Sequence, residues 1–226
     1  MKETEQKICY SIRAMEDRDI PQVLDIDREA FPTQWPYPTY SSFKQELRNR
    51  LAHYIVAFKP DFEPEVQSNQ IESRRDHRTL LDRFRNIFNY SPSSFESELI
   101  PPSRDLLTGM GGFWLMAGEV HIITIAVKTA FRQMGIGEAL LIAMVDKSIE
   151  LNADVVTLEV RVSNTTAQQL YKKYGFNTAG VRRKYYTDNS EDALIMTTDK
   201  IHLPSFENQF DFLKREHAKR WGQICN

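Results

Sequence analysis

Apolar and polar positions change period several times along the chain, and each change predicts an element. In "YSIRAMEDRDIPQVLDIDREAF", Ile12 and Ala14 alternate with polar neighbours, the period of a half-buried strand. Val23, Leu24, Ile26 and Ala30 then recur at helical spacing, and Asp17 or Asp19 is placed to cap that helix. "FPTQWPYPTY" sets three prolines among aromatics, which stops a helix and predicts an ordered loop. "YSSFKQELRNR" reads as a second helix, with Ser41 or Ser42 near its start and Glu46 as the partner in a capping box. "AHYIVAF" is a strand.

Residues 59–108 break this regularity. They open and close on polar, turn-rich sequence and hold one amphipathic stretch, "RTLLDRFRNIFNY", with Leu80, Leu81, Phe84, Ile87 and Phe88 on one helical face. This reads as an insertion between early strands, either a surface elaboration or a lid or partner-binding element. Regular alternation returns in "GGFWLMAGEVHIITIAV", two strands joined by a turn at 117–118. "RQMGIGEALLIAMVDKSIELN" is a glycine-punctuated loop entering a helix, with Ala139, Leu140, Ala143, Met144 and Ile149 inward. "DVVTLEVRV" is a strand, "TTAQQLYKKYGF" a helix ended by Gly175, and "NTAGVRRKYYTDNSEDALIMTTDKI" two strands around a polar loop. From about residue 202 the tail carries another amphipathic stretch, "FENQFDFLKREHAKRW". The order predicts a single mixed α/β domain over residues 1–226 with one central sheet flanked by helices, and 202–226 as an extension.

Composition narrows the function classes. The chain has 226 residues, 41% hydrophobic, with a formal net charge of -2. That balance gives no global electrostatic case for nucleic acid or a membrane surface as partner. Two cysteines near opposite termini, with no Cys/His spacing, suggest neither a metal site nor a disulfide framework. The polar N-terminus lacks the apolar core of a signal peptide, so the expected compartment is the cytoplasm.

"RQMGIG", from Arg132 through Gln133, Met134, Gly135 and Ile136 to Gly137, follows a strand and opens a helix. Two glycines bring backbone amides close to a ligand, and a helix N-terminus favours an anion such as a pyrophosphate. The same pattern also makes an ordinary tight turn. A P-loop would need Lys and Ser/Thr after the last glycine, where Glu138 and Ala139 stand. A dinucleotide fingerprint would need a third glycine, and position 140 is Leu.

The arginine-x-x-Gly-x-Gly pattern after "IAV" resembles the acetyl-coenzyme A loop of the GNAT acyltransferases. "HIITIAVKTAFRQMGIGEALL", "LEVRVSNTTAQQLYKKYGF" and "RRKYYTDNSEDALIM" are similar, in order and spacing, to the bacterial ribosomal-protein alanine N-acetyltransferases and to archaeal and eukaryotic N-terminal acetyltransferases. "DIDREAFPTQWPYPTYSSF" is more loosely similar to the family's first helix and substrate loop. The resemblance implies a GNAT fold and acetyl-coenzyme A as co-substrate, with no metal. The acceptor it implies is a protein or peptide N-terminus, the N-terminal alanine of a small-subunit ribosomal protein first.

Acetyl transfer to an amine needs a base for the ammonium, stabilisation of the thioester oxygen, and a proton for the leaving thiolate. Glu159 lies inside an apolar strand, either as a base acting through water or as a structural acid paired with Arg161 or another cation. The resemblance places the family's catalytic glutamate there. It gives His121 a share in the base role through ordered water, although a lone strand histidine is more often packed in a core. Tyr171 is read either as aromatic core or, from the resemblance, as the general acid. The resemblance also puts Ile125, Ala126, Val127, the 132–137 loop, Glu138 and Asn164 against the coenzyme; Lys173 reads either as a contact to a coenzyme phosphate or as a solvated helix lysine. It places Phe31, Pro32, Tyr185 and Tyr186 along the acceptor groove, where strand propensity alone would also account for the tyrosine pair. Arg182 and Arg183 read as a solvated edge. Rival functions are acetylation of a small amine or a lysine side chain, and a binding module that keeps the coenzyme site without turnover.

Overall fold

The structure, a computed structural model, describes residues 10–33, 36–59 and 105–222. The amphipathic stretch at 80–88 lies outside the described residues. In chain order the elements are β1 (Ser11–Ala14), a 3-10 turn (Asp17–Asp19), α1 (Ile20–Ala30), α2 (Tyr40–Glu46), β2 (Ala52–Lys59), β3 (Leu106–Met116) and β4 (Glu119–Val127). A second 3-10 turn (Thr129–Phe131) leads to α3 (Ile136–Glu150), β5 (Val155–Arg161), α4 (Thr165–Lys173), β6 (Phe176–Tyr186), β7 (Glu191–Thr198) and α5 (Pro204–Trp221). Among the described residues no helix is long and apolar enough to cross a membrane.

The seven strands form one sheet in the order β1-β2-β3-β4-β5-β7-β6. Neighbours are antiparallel except β4 and β5, whose parallel pairing is bridged by α3. One face is covered by α1 and α2, whose Ile20, Val23, Ile26 and Phe43 pack on Tyr54, Val56, Met110 and Ala126. The other is covered by α3 and α5, with Leu141, Met144, Val145, Phe206 and Phe210 against Phe113, Val156, Leu158 and Met196. Burying each such large apolar side chain contributes about 1.5–3 kcal/mol before conformational entropy is counted.

Several local expectations change. The cap of α2 is Thr39, which exchanges hydrogen bonds with Ser42 as a capping box. Glu46 instead accepts from the Trp114 indole at 2.8 Å, which moves it from a cap to a sheet contact. Strand β3 begins at Leu106, within the segment 59–108, and runs straight through Gly109, Gly111 and Gly112. Glycine there reflects close approach rather than a turn: a Cβ on Gly112 would sit 2.5 Å from the Tyr54 ring. The buried face of α3 is wider than one stripe. Leu141, Ile142 and Val145 are buried while Ala143 and Ile149 are half-buried, because sheet and α5 cover the helix from two sides. Tyr185 and Tyr186 are the last two residues of β6.

Candidate active site

Strand alternation and register bring the central acid and histidine together. In the parallel β4–β5 ladder His121 stands opposite Thr157. Glu159, two residues on, shares that face, while Val156, Leu158 and Val160 face the α3 core. His121 Nε2 lies 2.5 Å from Glu159 Oε2, so the pair bonds directly rather than through a water. The second carboxylate oxygen, Oε1, is 3.0 Å from Arg182 Nε. Glu159 thus has a cation, and it is Arg182 on β6, not Arg161. Burial of an unpaired carboxylate is costly, and Arg182 offsets that cost. The pair is unequal in access, with the His121 side chain 27% exposed and that of Glu159 7%.

The two strands part just beyond this point. Their ladder ends at Ile122 opposite Leu158, although β4 continues to Val127 and β5 to Arg161. The cause lies in β4. Phe113 pairs with Ile122 and Gly112 with Thr124, which leaves Ile123 as an extra residue. A bulge bends its strand and reverses the sense of the side chains that follow. Accordingly Ala126 packs toward α1, whereas Ile125 and Val127 pack toward α3. Residues 125–127 therefore line a gap in the sheet that β5 does not close.

The glycine loop stands at the wide end of that gap. Gly135, at φ 77°, is the N-cap of α3, and no side chain among the described residues caps the helix. Gln133 is also left-handed at φ 62°. Ile136 is buried and Met134 half-buried, so this turn offers backbone rather than apolar side chains. A Cβ on Gly137 would meet only Val127, at 3.7 Å. Arg132 Nε donates to the Val127 carbonyl at 3.2 Å. An uncapped helix N-terminus, bare backbone and an adjacent guanidinium fit the chemistry of a pyrophosphate.

Glu138 and Lys173 differ from expectation. They pair with each other at 2.5 Å, and Glu138 also accepts from the Tyr174 hydroxyl at 2.6 Å. Burial opposes ionisation of Glu138, but Lys173 and Tyr174 together hold its carboxyl below the usual range. Their side chains tie the start of α3 to the end of α4 across the gap. Asn164 caps α4, accepting from Ala167 N at 3.1 Å.

Tyr171 projects from α4, with its ring 5.8 Å from that of Phe176. Burial, then the nearby Tyr186, push its phenol up to about 12. Tyr186 is likewise pushed up to about 12 by burial, against the pull of Arg161, with Tyr185 and Glu159 adding smaller repulsions. Tyr186 is thus the electrostatic neighbour of both Tyr171 and Glu159.

The tyrosine pair is held by features with no sequence signature. Arg182 stands opposite Ala193 and Tyr186 opposite Glu191, so three residues of β6 face one of β7. Lys184 takes the left-handed turn this requires, φ 50°, and its amide donates to Asp192 at 2.7 Å. Arg161 lies 3.8 Å from the centroid of the Tyr186 ring and bonds both Asp188 and Glu191. Asp188 in turn accepts from Thr33 at 2.5 Å, and Tyr37 donates to the Pro32 carbonyl. The loop holding Phe31 and Pro32 is therefore latched to the β6–β7 hairpin. Thr33 and Arg161 hold the Asp188 carboxyl below its ordinary range.

The family model described as "Acetyltransferase (GNAT) family" matches residues 72–176. A Bacillus subtilis (strain 168) protein, provisionally named a [ribosomal protein bS18]-alanine N-acetyltransferase, is 33% identical over 84% of this chain and 95% of its own. An N-alpha-acetyltransferase of Sulfurisphaera tokodaii is 31% identical over 83% and 91%. The crystal structure of the ribosomal-protein-S18-alanine N-acetyltransferase from Escherichia coli superposes with a TM-score of 0.56 at 21% identity, covering 84% of this chain and 92% of that one.

Proposed function

This chain belongs to the GNAT acetyltransferase family, and on that footing we propose that it acetylates the α-amino group at a protein N-terminus. The donor is acetyl-coenzyme A, and the first acceptor is the N-terminal alanine of the small-subunit ribosomal protein bS18. The observation that carries the reading is the His121–Glu159 pair. It stands where β4 and β5 part, on the sheet face that also holds the latched tyrosine hairpin.

The coenzyme's pyrophosphate is held by the amides of residues 133–137 with Arg132 beside them, and its arm by the backbone of residues 125–127. A carboxylate can only accept from Nε2, so a neutral His121 ring has Nδ1 as its acceptor. The His121–Glu159 pair takes the proton from the incoming ammonium. The neutral amine attacks the thioester carbon directly, the carbon–nitrogen bond forms and the carbon–sulfur bond breaks. Tyr171 gives its proton to the departing sulfur and is reprotonated from solvent, while the second amine proton leaves as the amide forms. No cysteine lies in these motifs to carry an acetyl intermediate. The chain works as one domain over residues 1–226, with an insertion between the end of β2 at Lys59 and the start of β3 at Leu106 and with 202–226 an extension, in the cytoplasm.

The test is mass spectrometry of two peptides incubated with the protein and acetyl-coenzyme A. One carries a free N-terminal alanine; the other has a blocked N-terminus and an internal lysine. Acetylation confined to the free N-terminus is expected. Acetylation of lysine alone overturns the acceptor, and no consumption of acetyl-coenzyme A with either peptide favours a binding module. Comparison of cellular N-termini with and without the protein then reads the breadth of acceptors.

A further inference from the structure

We infer that the C-terminal helix is part of the coenzyme site, with His217 and Trp221 as positioning residues for the glycine turn. This rests on the reading of residues 132–137 as the pyrophosphate loop. Helix α5 starts over the far end of α4, where Phe206 approaches Gly175 and Phe210 packs edge-on against Tyr174 at 6.1 Å. It then crosses α3, where Lys214 pairs with Asp146 at 2.6 Å. It ends on the turn itself. His217 is 4% exposed, and its Nε2 lies 3.1 Å from the Gly135 carbonyl oxygen. The Trp221 ring fills the space a Cβ on Gly135 would need, with ring atoms 2.6–2.8 Å from that position.

These two contacts meet at one residue, and that residue needs them. Gly135 holds a left-handed backbone at the N-cap of α3, with no side chain of the loop to fix it. Glycine there is the residue least constrained by its own sterics, so neighbours must supply the order. The Gly135 carbonyl accepts from the Ala139 amide at 2.9 Å and from His217 as a second donor, so the ring's Nε2 carries the proton and the peptide plane is held from two sides. Trp221 covers the face of the turn on which a Gly135 side chain would lie. Pre-ordering the turn removes an entropic cost that coenzyme binding would otherwise carry. Arg220, 4.8 Å from the Trp221 ring centroid, pairs with no carboxylate among the described residues and adds a cation to the same rim.

The experiment measures binding of coenzyme A by calorimetry, together with steady-state constants for acetyl-coenzyme A and the acceptor peptide. Loss of one buried hydrogen bond corresponds to about five- to tenfold, and that weakening of coenzyme A binding is expected for His217→Ala and for Trp221→Ala. KM for acetyl-coenzyme A rises in parallel, while kcat and KM for the peptide hold. His217→Gln, which keeps a donor, and Trp221→Phe, which keeps a ring, restore most of the affinity. Trp221 is half-buried on the last turn of α5, so Trp221→Ala carries the test if His217→Ala fails to fold. Unchanged coenzyme A affinity in all four variants, with the wild-type protein binding normally, overturns the role of the helix and leaves the acetyltransfer reading intact. No binding of coenzyme A by the wild-type protein overturns both.

Discussion

His121 and Glu159, 38 positions apart in sequence, are joined by a 2.5 Å contact between Nε2 and Oε2. The buried carboxylate is held on its other oxygen by Arg182, so the ring is the more accessible member. The pair is expected to act as a unit. Glu159→Gln and His121→Asn each lower kcat by about 10²- to 10⁴-fold, the ordinary size of a lost acid–base group. The double variant is no slower than the worse single one, since either loss disables the same step. Steady-state turnover with a peptide acceptor checks this. Full turnover in the histidine variant would leave Glu159 as the base by itself.

Tyr171 lends itself to a cleaner separation of chemistry from packing. Its hydroxyl makes no hydrogen bond to the described residues, whereas its ring packs on Phe176. Tyr171→Phe keeps the ring and is expected to leave the melting temperature near that of the wild type. It lowers kcat by about 10²-fold if the phenol supplies the proton to the sulfur. With the phenol pushed up to about 12, the donor stays protonated through the neutral and mildly alkaline range. The kcat profile of the wild type therefore shows no alkaline loss from this group there. Unchanged kcat in the variant would reduce Tyr171 to core packing.

The fold was legible wherever its cause is local. The helix face of Val23 and Ile26 and the left-handed turn at Ala117 and Gly118 follow from spacing and residue type. Three consequences of long-range register were not. The bulge at Ile123 depends on how β3 and β4 pair, and the sequence "HIITIAV" alternates too weakly to place it. Arg182 reaches Glu159 only because β7 and β6 follow β5 in the sheet, so a residue read as solvated edge becomes the acid's cation. Glu138 and Lys173 look like separate coenzyme ligands in sequence. The approach of α3 and α4 makes them partners of each other. The motif residues marked the region, and the pairing of charges within it came from topology.

The latch between Thr33 and Asp188 predicts a selective defect. Thr33→Val removes the hydroxyl that joins the acceptor loop to the hairpin while keeping its size. Asp188→Ala also removes one of the two carboxylates that hold Arg161 against the Tyr186 ring, leaving Glu191. Both are expected to raise KM for the peptide several-fold, with the larger change in Asp188→Ala, since it removes the Arg161 ion pair as well as the Thr33 bond. KM for acetyl-coenzyme A is expected to be unchanged, because the latch lies on the side proposed for the acceptor and away from residues 132–137. Parallel rises in both constants would show that the latch supports the whole cleft and not the acceptor groove alone.

Asp27 gives a prediction about stability. It is 4% exposed on the inner face of α1, and its Oδ2 has no hydrogen-bond partner among the described residues. Burial, opposed in part by Arg28, pushes its carboxyl from 3.8 up to about 6. The folded chain therefore holds this proton more tightly than the unfolded chain. Stability falls as pH rises from about 4 to about 6 and stays lowered above that, by about 3 kcal/mol for a shift of this size. Asp27→Asn abolishes that slope, because the amide does not titrate. Its own unsatisfied polar atoms offset part of the gain, so a net stabilisation of about 1–2 kcal/mol at pH 8 is expected, with little at pH 4. Urea unfolding of both proteins across this range measures the difference, and parallel curves would mean that Asp27 is ionised at no cost within the fold.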